Sequence, residues 1–177
     1  ADEDARRIKA AAFRQLGYAS ININWRNWYL TSAMELEGTL EERLAAVDMR
    51  AVFLPPDIVA ALPTAAIVSS MTSRLRAEDA LDIRQTLRVE IIGETPSTFA
   101  LQVHRGVCRF IDGDPAAADF SLRMDRGTLD AIVIGKDTYT NAVNTGRATL
   151  TGDVDAFAGF MGLFEDPWEI KPPLTLR

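Results

Sequence analysis

Cysteine and histidine are almost missing from this 177-residue sequence, which has one of each, Cys108 and His104. A lone cysteine excludes an internal disulfide framework, and its place in a strand-like stretch reads as a buried thiol. One histidine excludes a His-rich zinc site, since zinc takes at least three protein ligands. Runs of basic residues are lacking too: 25 Asp and Glu against 19 Lys and Arg leave a net charge of −6, and no basic patch marks a nucleic acid partner. Nor is there a long unbroken apolar run. Residues 51–68 carry Asp57 as their one charge, but Pro55, Pro56 and Pro63 cut them into pieces too short for a membrane span. The chain opens on Ala1, Asp2, Glu3 and Asp4 with neither a starting Met nor an apolar signal core, which reads as a processed product or a piece of a longer protein.

What is present is the composition of a folded domain, with 47% apolar and 25% charged residues. Its character changes near Gly38. Before it, Ala5, Ile8, Ala12 and Leu16 recur at helical spacing with Gly17 as a stop, and Trp25, Trp28, Tyr29, Ala33 and Leu36 form a second stripe ending at Gly38. This predicts a helical hairpin over residues 1–38, and a second domain over 39–177. The hairpin is neutral, with five basic and five acidic residues, whereas the remainder holds 14 basic and 20 acidic. Two helices cannot by themselves bury two Trp and a Tyr. Trp25, Trp28 and Tyr29 are therefore the candidate oligomer interface.

Thr39 with Glu42 reads as a capping box, Pro55 and Pro56 suit a helix start, and Ile67, Val68, Met71 and Leu75 mark an amphipathic helix for a sheet. From Arg84 the period is two. Leu87, Val89 and Ile91 make one strand, and Phe99, Leu101 and Val103 the next; a third runs from Val107 to Ile111, and Phe120, Leu122 and Met124 give a fourth, expected as a meander. Asp125 should cap a helix with Leu129, Ile132 and Val133, Ala148 and Leu150 a fifth strand, and Asp153 a last helix. The class is α+β.

The last helix carries Val154, Phe157, Phe160, Met161 and Phe164, interrupted by Gly159 and Gly162. A mid-helix Gly costs about 1 kcal/mol against Ala, so close packing or a space is expected there. The face is either plain core or the wall of an apolar ligand tunnel, with Met161 adapting to alkyl chains; both can hold at once. The candidate pocket residues are Phe157, Phe160, Met161 and Phe164, with Leu101, Val103, Leu122 and Ile132 as sheet and helix partners. Other chemistry finds little support. Ser69, Ser70 and Ser73 have no histidine partner, Asp112 and Asp114 suit turn capping, and the glycines lack phosphate-cradling spacing. Four arginines, Arg105, Arg109, Arg123 and Arg147, are candidates for a local cationic exception to the negative field.

The stretch Ala118-Asp-Phe-Ser-Leu-Arg-Met-Asp-Arg-Gly-Thr-Leu-Asp-Ala-Ile132, followed by Gly146-Arg-Ala-Thr-Leu-Thr-Gly-Asp153 and the apolar helix, resembles the second half of the sterol carrier protein 2 fold. The segment Phe13-Arg-Gln-Leu-Gly-Tyr18, then Trp25-Arg-Asn-Trp-Tyr-Leu-Thr-Ser-Ala-Met-Glu-Leu36, is similar to the end of the dimerisation domain of alkyl sulfatases, which place a sterol-carrier-like domain directly after it. The resemblance implies a mainly antiparallel five-stranded sheet covered by helices after the helical hairpin. It also implies a parent enzyme that hydrolyses long-chain alkyl sulfates with a binuclear zinc site in a metallo-β-lactamase-like domain. That site's His-x-His-x-Asp-His signature is not in this sequence, so zinc is expected only in an upstream catalytic domain.

The expected role is then a module for a long-chain alkyl, lipid or sterol ligand, with no catalytic residues and no metal or cofactor of its own. Expected partners are the aliphatic ligand and either a second copy or the upstream catalytic domain. An assembly module without ligand, a free-standing lipid carrier and, with least support, an independent hydrolase are the alternatives. The compartment stays open between bacterial cytoplasm and periplasm.

Overall fold

In the computed structural model, which describes residues 2–166, Asp2 accepts hydrogen bonds from the Asp4 and Ala5 amides at 3.1 and 3.2 Å and so caps α1, Glu3–Ala19. Asn22 does the same for α2, Ile23–Glu37, from Asn24 and Trp25 at 2.9 and 3.3 Å. Gly38, left-handed at φ 72°, ends α2, a backbone that a residue with a Cβ resists. The two helices pack as the expected hairpin. Gly17 is not a stop: α1 continues to Ala19, and Gly17 is buried where a Cβ would lie 2.8 Å from the Leu30 side chain. Arg14 holds the far end of α2 through Nε to Glu37 Oε1 at 2.8 Å. That bond sets the Glu37 carboxyl below its ordinary range.

Two compact units divide the described chain, residues 2–49 and residues 50–166. The first adds α3, Leu40–Ala45, to the hairpin. Thr39 makes no capping bond there, and its backbone is already helical (φ −95°, ψ −7°) where a capping residue is ordinarily extended.

The second unit is a five-stranded sheet with helices on one face. After α4, Met49–Phe53, and α5, Pro56–Ala61, comes α6, Thr64–Ser70. The expected longer helix tightens at its end into a 3₁₀ turn, Met71–Arg74, where the Ser70 and Ser73 hydroxyls donate back to carbonyls three residues earlier at 2.7 and 2.9 Å. The strands are β1 Arg84–Ile92, β2 Ser97–His104, β3 Val107–Asp112, β4 Phe120–Asp125 and β5 Ala148–Thr151, in the order β3-β2-β1-β4-β5. All pairs are antiparallel except β1 with β4. The α+β class and mainly antiparallel sheet expected from the sequence are therefore those observed.

The meander is not. It placed β4 beside β3, whereas β4 lies beyond β1 and parallel to it. The connecting residues cross the polar face of the sheet: Gly113 N donates to Thr98 O on β2, and Asp119 meets the backbone of Thr86 on β1, its amide donating to Thr86 O at 2.9 Å and its carboxylate accepting from Thr86 N at 2.7 Å. Midway, Asp114 pairs with Arg88, which also meets Glu90 at 2.7 Å. A short loop can make this crossing because Gly113, Asp114 and Asp119 hydrogen-bond to the strands it passes.

On the other face the register sets Leu87, Leu101 and Phe120 side by side, and Val89, Phe99, Leu122 and Leu150 in the next row. This apolar face is covered by α6, by α7, Arg126–Val133, by α8, Tyr139–Asn144, and by α9, Val154–Met161, in one continuous core. Asp125 caps α7 through the Thr128 amide at 2.8 Å, and Asp153 caps α9 through the Ala156 amide at 2.7 Å, both as the sequence predicts.

Candidate functional site

α9 brings the expected aromatic residues to the sheet. Its period places Phe157 and Phe160 inward, 2% and 1% exposed, and both rings meet Phe120 of β4, with centroids 6.1 and 5.7 Å apart. Phe164 follows, buried, with its ring 5.4 Å from Phe160, while Met161 is half-buried against the same cluster. From the sheet come Leu101, Val103 and Leu122, and from α7 comes Ile132, all buried in that core. The structure thus brings all eight candidate pocket residues together. Gly159 is not closely packed: it is exposed, and a Cβ there would meet open space, with nothing within 4 Å. Gly162 falls at the helix end, where backbone carbonyls lie 3.2 and 3.4 Å from a built Cβ.

The end of α9 is strapped to the 3₁₀ segment before the sheet. Arg76 N donates to Leu163 O and Glu165 N to Arg74 O, each at 2.8 Å, around an antiparallel bridge of Leu75 with Phe164. Arg74 Nε adds a bond to Glu165 O at 2.7 Å. Beneath this strap, Tyr139 of α8 donates its hydroxyl to the Met71 sulfur at 3.6 Å. Burial pushes the Tyr139 phenol up from its ordinary pKa, and the positive charge of Arg74 acts in the opposite direction. Arg74 and Tyr139 are polar groups at the core's margin that sequence reasoning passed over. They are far apart in sequence, and no local pattern links them.

The four arginines singled out from the sequence fare differently. Arg123 lies 3.5 Å from Glu90, and Arg147 Nη2 lies 2.7 Å from the buried Asp137 carboxylate. Arg105 and Arg109 are exposed. His104 is exposed at the end of β2, and the half-buried Cys108 thiol is pushed up to about 11 by burial. Among the described residues no three His, Cys, Asp or Glu side chains are grouped to hold a metal ion. None of the described helices is long and apolar enough to cross a membrane.

The hairpin carries the second candidate surface. Trp28 packs edge-on to Phe13, Trp25 and Tyr29, at 5.9, 6.3 and 5.4 Å between centroids. Trp25 remains 57% exposed and Trp28 39%, and Tyr29 is half-buried. On α1 the stripe of Ala5, Ile8, Ala12 and Leu16 faces outward, with Ile8 68% exposed, because Ala10 and Gly17 take the close approach to α2 instead.

Two family models match the chain: alkyl sulfatase C-terminal over residues 53–169 and alkyl sulfatase dimerisation over residues 1–39. A linear primary-alkylsulfatase of Pseudomonas sp. (strain ATCC 19151) is 37% identical over 180 residues, covering 99% of this chain and 34% of that protein. The solved stereoselective inverting sec-alkylsulfatase of Pseudomonas sp. aligns with 94% of this chain and 25% of its own, at 29% identity and a TM-score of 0.65. A palmitated sterol carrier protein 2-like 2 from Aedes aegypti aligns with 59% of this chain and 96% of its own, at 16% identity and a TM-score of 0.49. The chain therefore spans about a third or less of the alkylsulfatases it matches.

Proposed function

The chain belongs to the alkyl sulfatase C-terminal family, and from that premise we propose that it is the part of an alkyl-sulfatase-like protein that takes up the substrate's aliphatic tail and presents the sulfate end to a catalytic domain. The observation that carries this reading is the single apolar core under α9, where Phe157 and Phe160 lie against Phe120 and share one cluster with Phe164, Leu101, Val103 and Leu122, and Met161 packs on its edge. Burial is the driving force: each methylene withdrawn from water contributes about 0.8 kcal/mol, before ordering costs. Zinc in this reading belongs to an upstream metallo-β-lactamase-like domain. The residues here do not fit it, since His104 is the single histidine and no three His, Cys, Asp or Glu side chains among the described residues are grouped to hold a metal ion.

An amide NMR titration with octyl, decyl and dodecyl sulfate below their aggregation limits tests the reading. Saturable shifts should cluster on α9 and the apolar sheet face, with affinity rising up to ~tenfold for each two methylenes. A flat series, or scattered shifts, would sink it.

The exposed Trp25 and Trp28 favour a second role in the same chain, assembly with a second copy or with the upstream domain. The two roles use different residues and are compatible.

A further inference from the structure

We propose that Arg74 and Tyr139 form a head-group site for an alkyl ligand ending in an anionic oxygen group, such as a sulfate, phosphate or carboxylate. The inference rests on the tail-binding reading above and adds a site that holds the ligand's other end before that end passes to a catalytic domain. Five arginines are half-buried among the described residues, and four of them meet a carboxylate: Arg14 with Glu37, Arg50 with Asp166, Arg88 with Glu90 and Asp114, and Arg126 with Asp130. Arg74 is the fifth, and no described carboxylate lies in ion-pair range of it; its Nε goes to a neutral carbonyl, Glu165 O. A half-buried guanidinium without a carboxylate partner keeps planar η-nitrogens that match an oxyanion.

Tyr139 supplies the second observation. Its hydroxyl proton goes to the Met71 sulfur, a weak acceptor that a ligand oxygen would outcompete. Met71 and Arg74 are the first and last residues of one 3₁₀ turn, and side chains three apart in such a turn eclipse each other. The thioether that holds the phenol and the guanidinium therefore project on one side. That side borders the core formed by Phe160, Phe164 and the sheet face. A chain of net charge −6 repels anions at range, so a local cation without a carboxylate partner is what an anionic head needs.

Decyl sulfate, decanol and decyltrimethylammonium share one tail and differ in head, so binding of the three to the 177-residue chain, followed by amide NMR, isolates the head site. The unchanged chain should bind decyl sulfate at least ~tenfold tighter than decyltrimethylammonium. Arg74→Gln should remove most of that preference and leave decanol within about twofold, and Arg74→Lys should keep part of it. Tyr139→Phe should weaken decyl sulfate and decanol alike by ~threefold or more. Equal binding of all three heads by the unchanged chain overturns the head site and leaves the tail pocket standing. So does a sulfate preference that survives Arg74→Gln. Because the unchanged chain's own preference is read, a variant that failed to fold would not rescue the proposal. No saturable binding of any probe overturns the tail reading, and this inference with it.

Discussion

Arg126 Nη2 donates to the Val59 carbonyl at 2.8 Å, joining the first turn of α7 to the last turn of α5. The same guanidinium reaches Leu62 O at 2.9 Å, Thr64 Oγ1 at 2.9 Å and Asp130 Oδ1 at 2.7 Å. A cation thus sits on carbonyls at the end of α5, adding to the bond that Val59 O already accepts from Leu62 N at 3.1 Å, which also suits the helix dipole. Arg126→Met should lower stability by about 2 kcal/mol, read as a shift in urea midpoint at unchanged slope. Arg126→Lys should recover little, because one ammonium cannot reach four acceptors in a fork.

Two helical glycines should respond to alanine in opposite directions. At Gly17 the new methyl would lie 2.8 Å from Leu30, so Gly17→Ala should destabilise the hairpin by about 1 kcal/mol or more through overpacking. At Gly159, exposed and with nothing within 4 Å, Gly159→Ala should gain up to about 1 kcal/mol of helix propensity. Thermal midpoints of the two variants decide it; a loss at Gly159 would show that its space is used.

Asp137 is a buried carboxylate that accepts from Asn141 Nδ2 at 2.7 Å and the Thr138 amide at 2.8 Å and lies beside Arg147. The Asn141 bond first, then the Thr138 amide and Arg147, hold its pKa below the ordinary Asp value despite burial. A depressed folded pKa gives stability that is present in full above the unfolded value, about 3.9, and is lost as pH falls through the folded one. The stability cost of Asp137→Asn should accordingly be largest near neutral pH and shrink below about pH 4. A cost that stayed constant across that window would exclude the linkage.

Trp28→Ala should weaken any self-association of the chain by ~tenfold or more, since a half-exposed Trp at the centre of an aromatic cluster is the usual anchor of an interface. Light scattering across a dilution series is the measurement. An unchanged oligomeric state would move the interface elsewhere, with the outward stripe of Ile8 and Leu16 as the next surface to alter.

Features whose cause lies within a few residues were legible in the sequence. The alternation of Leu87, Val89 and Ile91 gives the buried face of β1, and Asp125 and Asp153 cap their helices, because strand period and capping depend on near neighbours alone. The inward turn of Phe157 and Phe160 follows from helical period in the same way. Misreadings arose where a local pattern met a distant partner. Gly17 looks like a helix stop, yet Leu30 of the facing helix explains why it must be small.

The sequence by itself determined the strand faces, the caps, the apolar last helix and the family resemblance, since each is written in short-range periodicity or contiguous residues. The tertiary structure alone decided that β4 lies parallel to β1, that Asp114 reaches Arg88 across the sheet, and that the Tyr139 hydroxyl meets the Met71 sulfur. Both edges of the first hairpin would have buried β4 equally well by pattern. On the observed side, residues 113–119 cross β1 and β2 with the Gly113 amide on Thr98 O and Asp119 on the Thr86 backbone, bonds between residues too far apart for a local pattern to show.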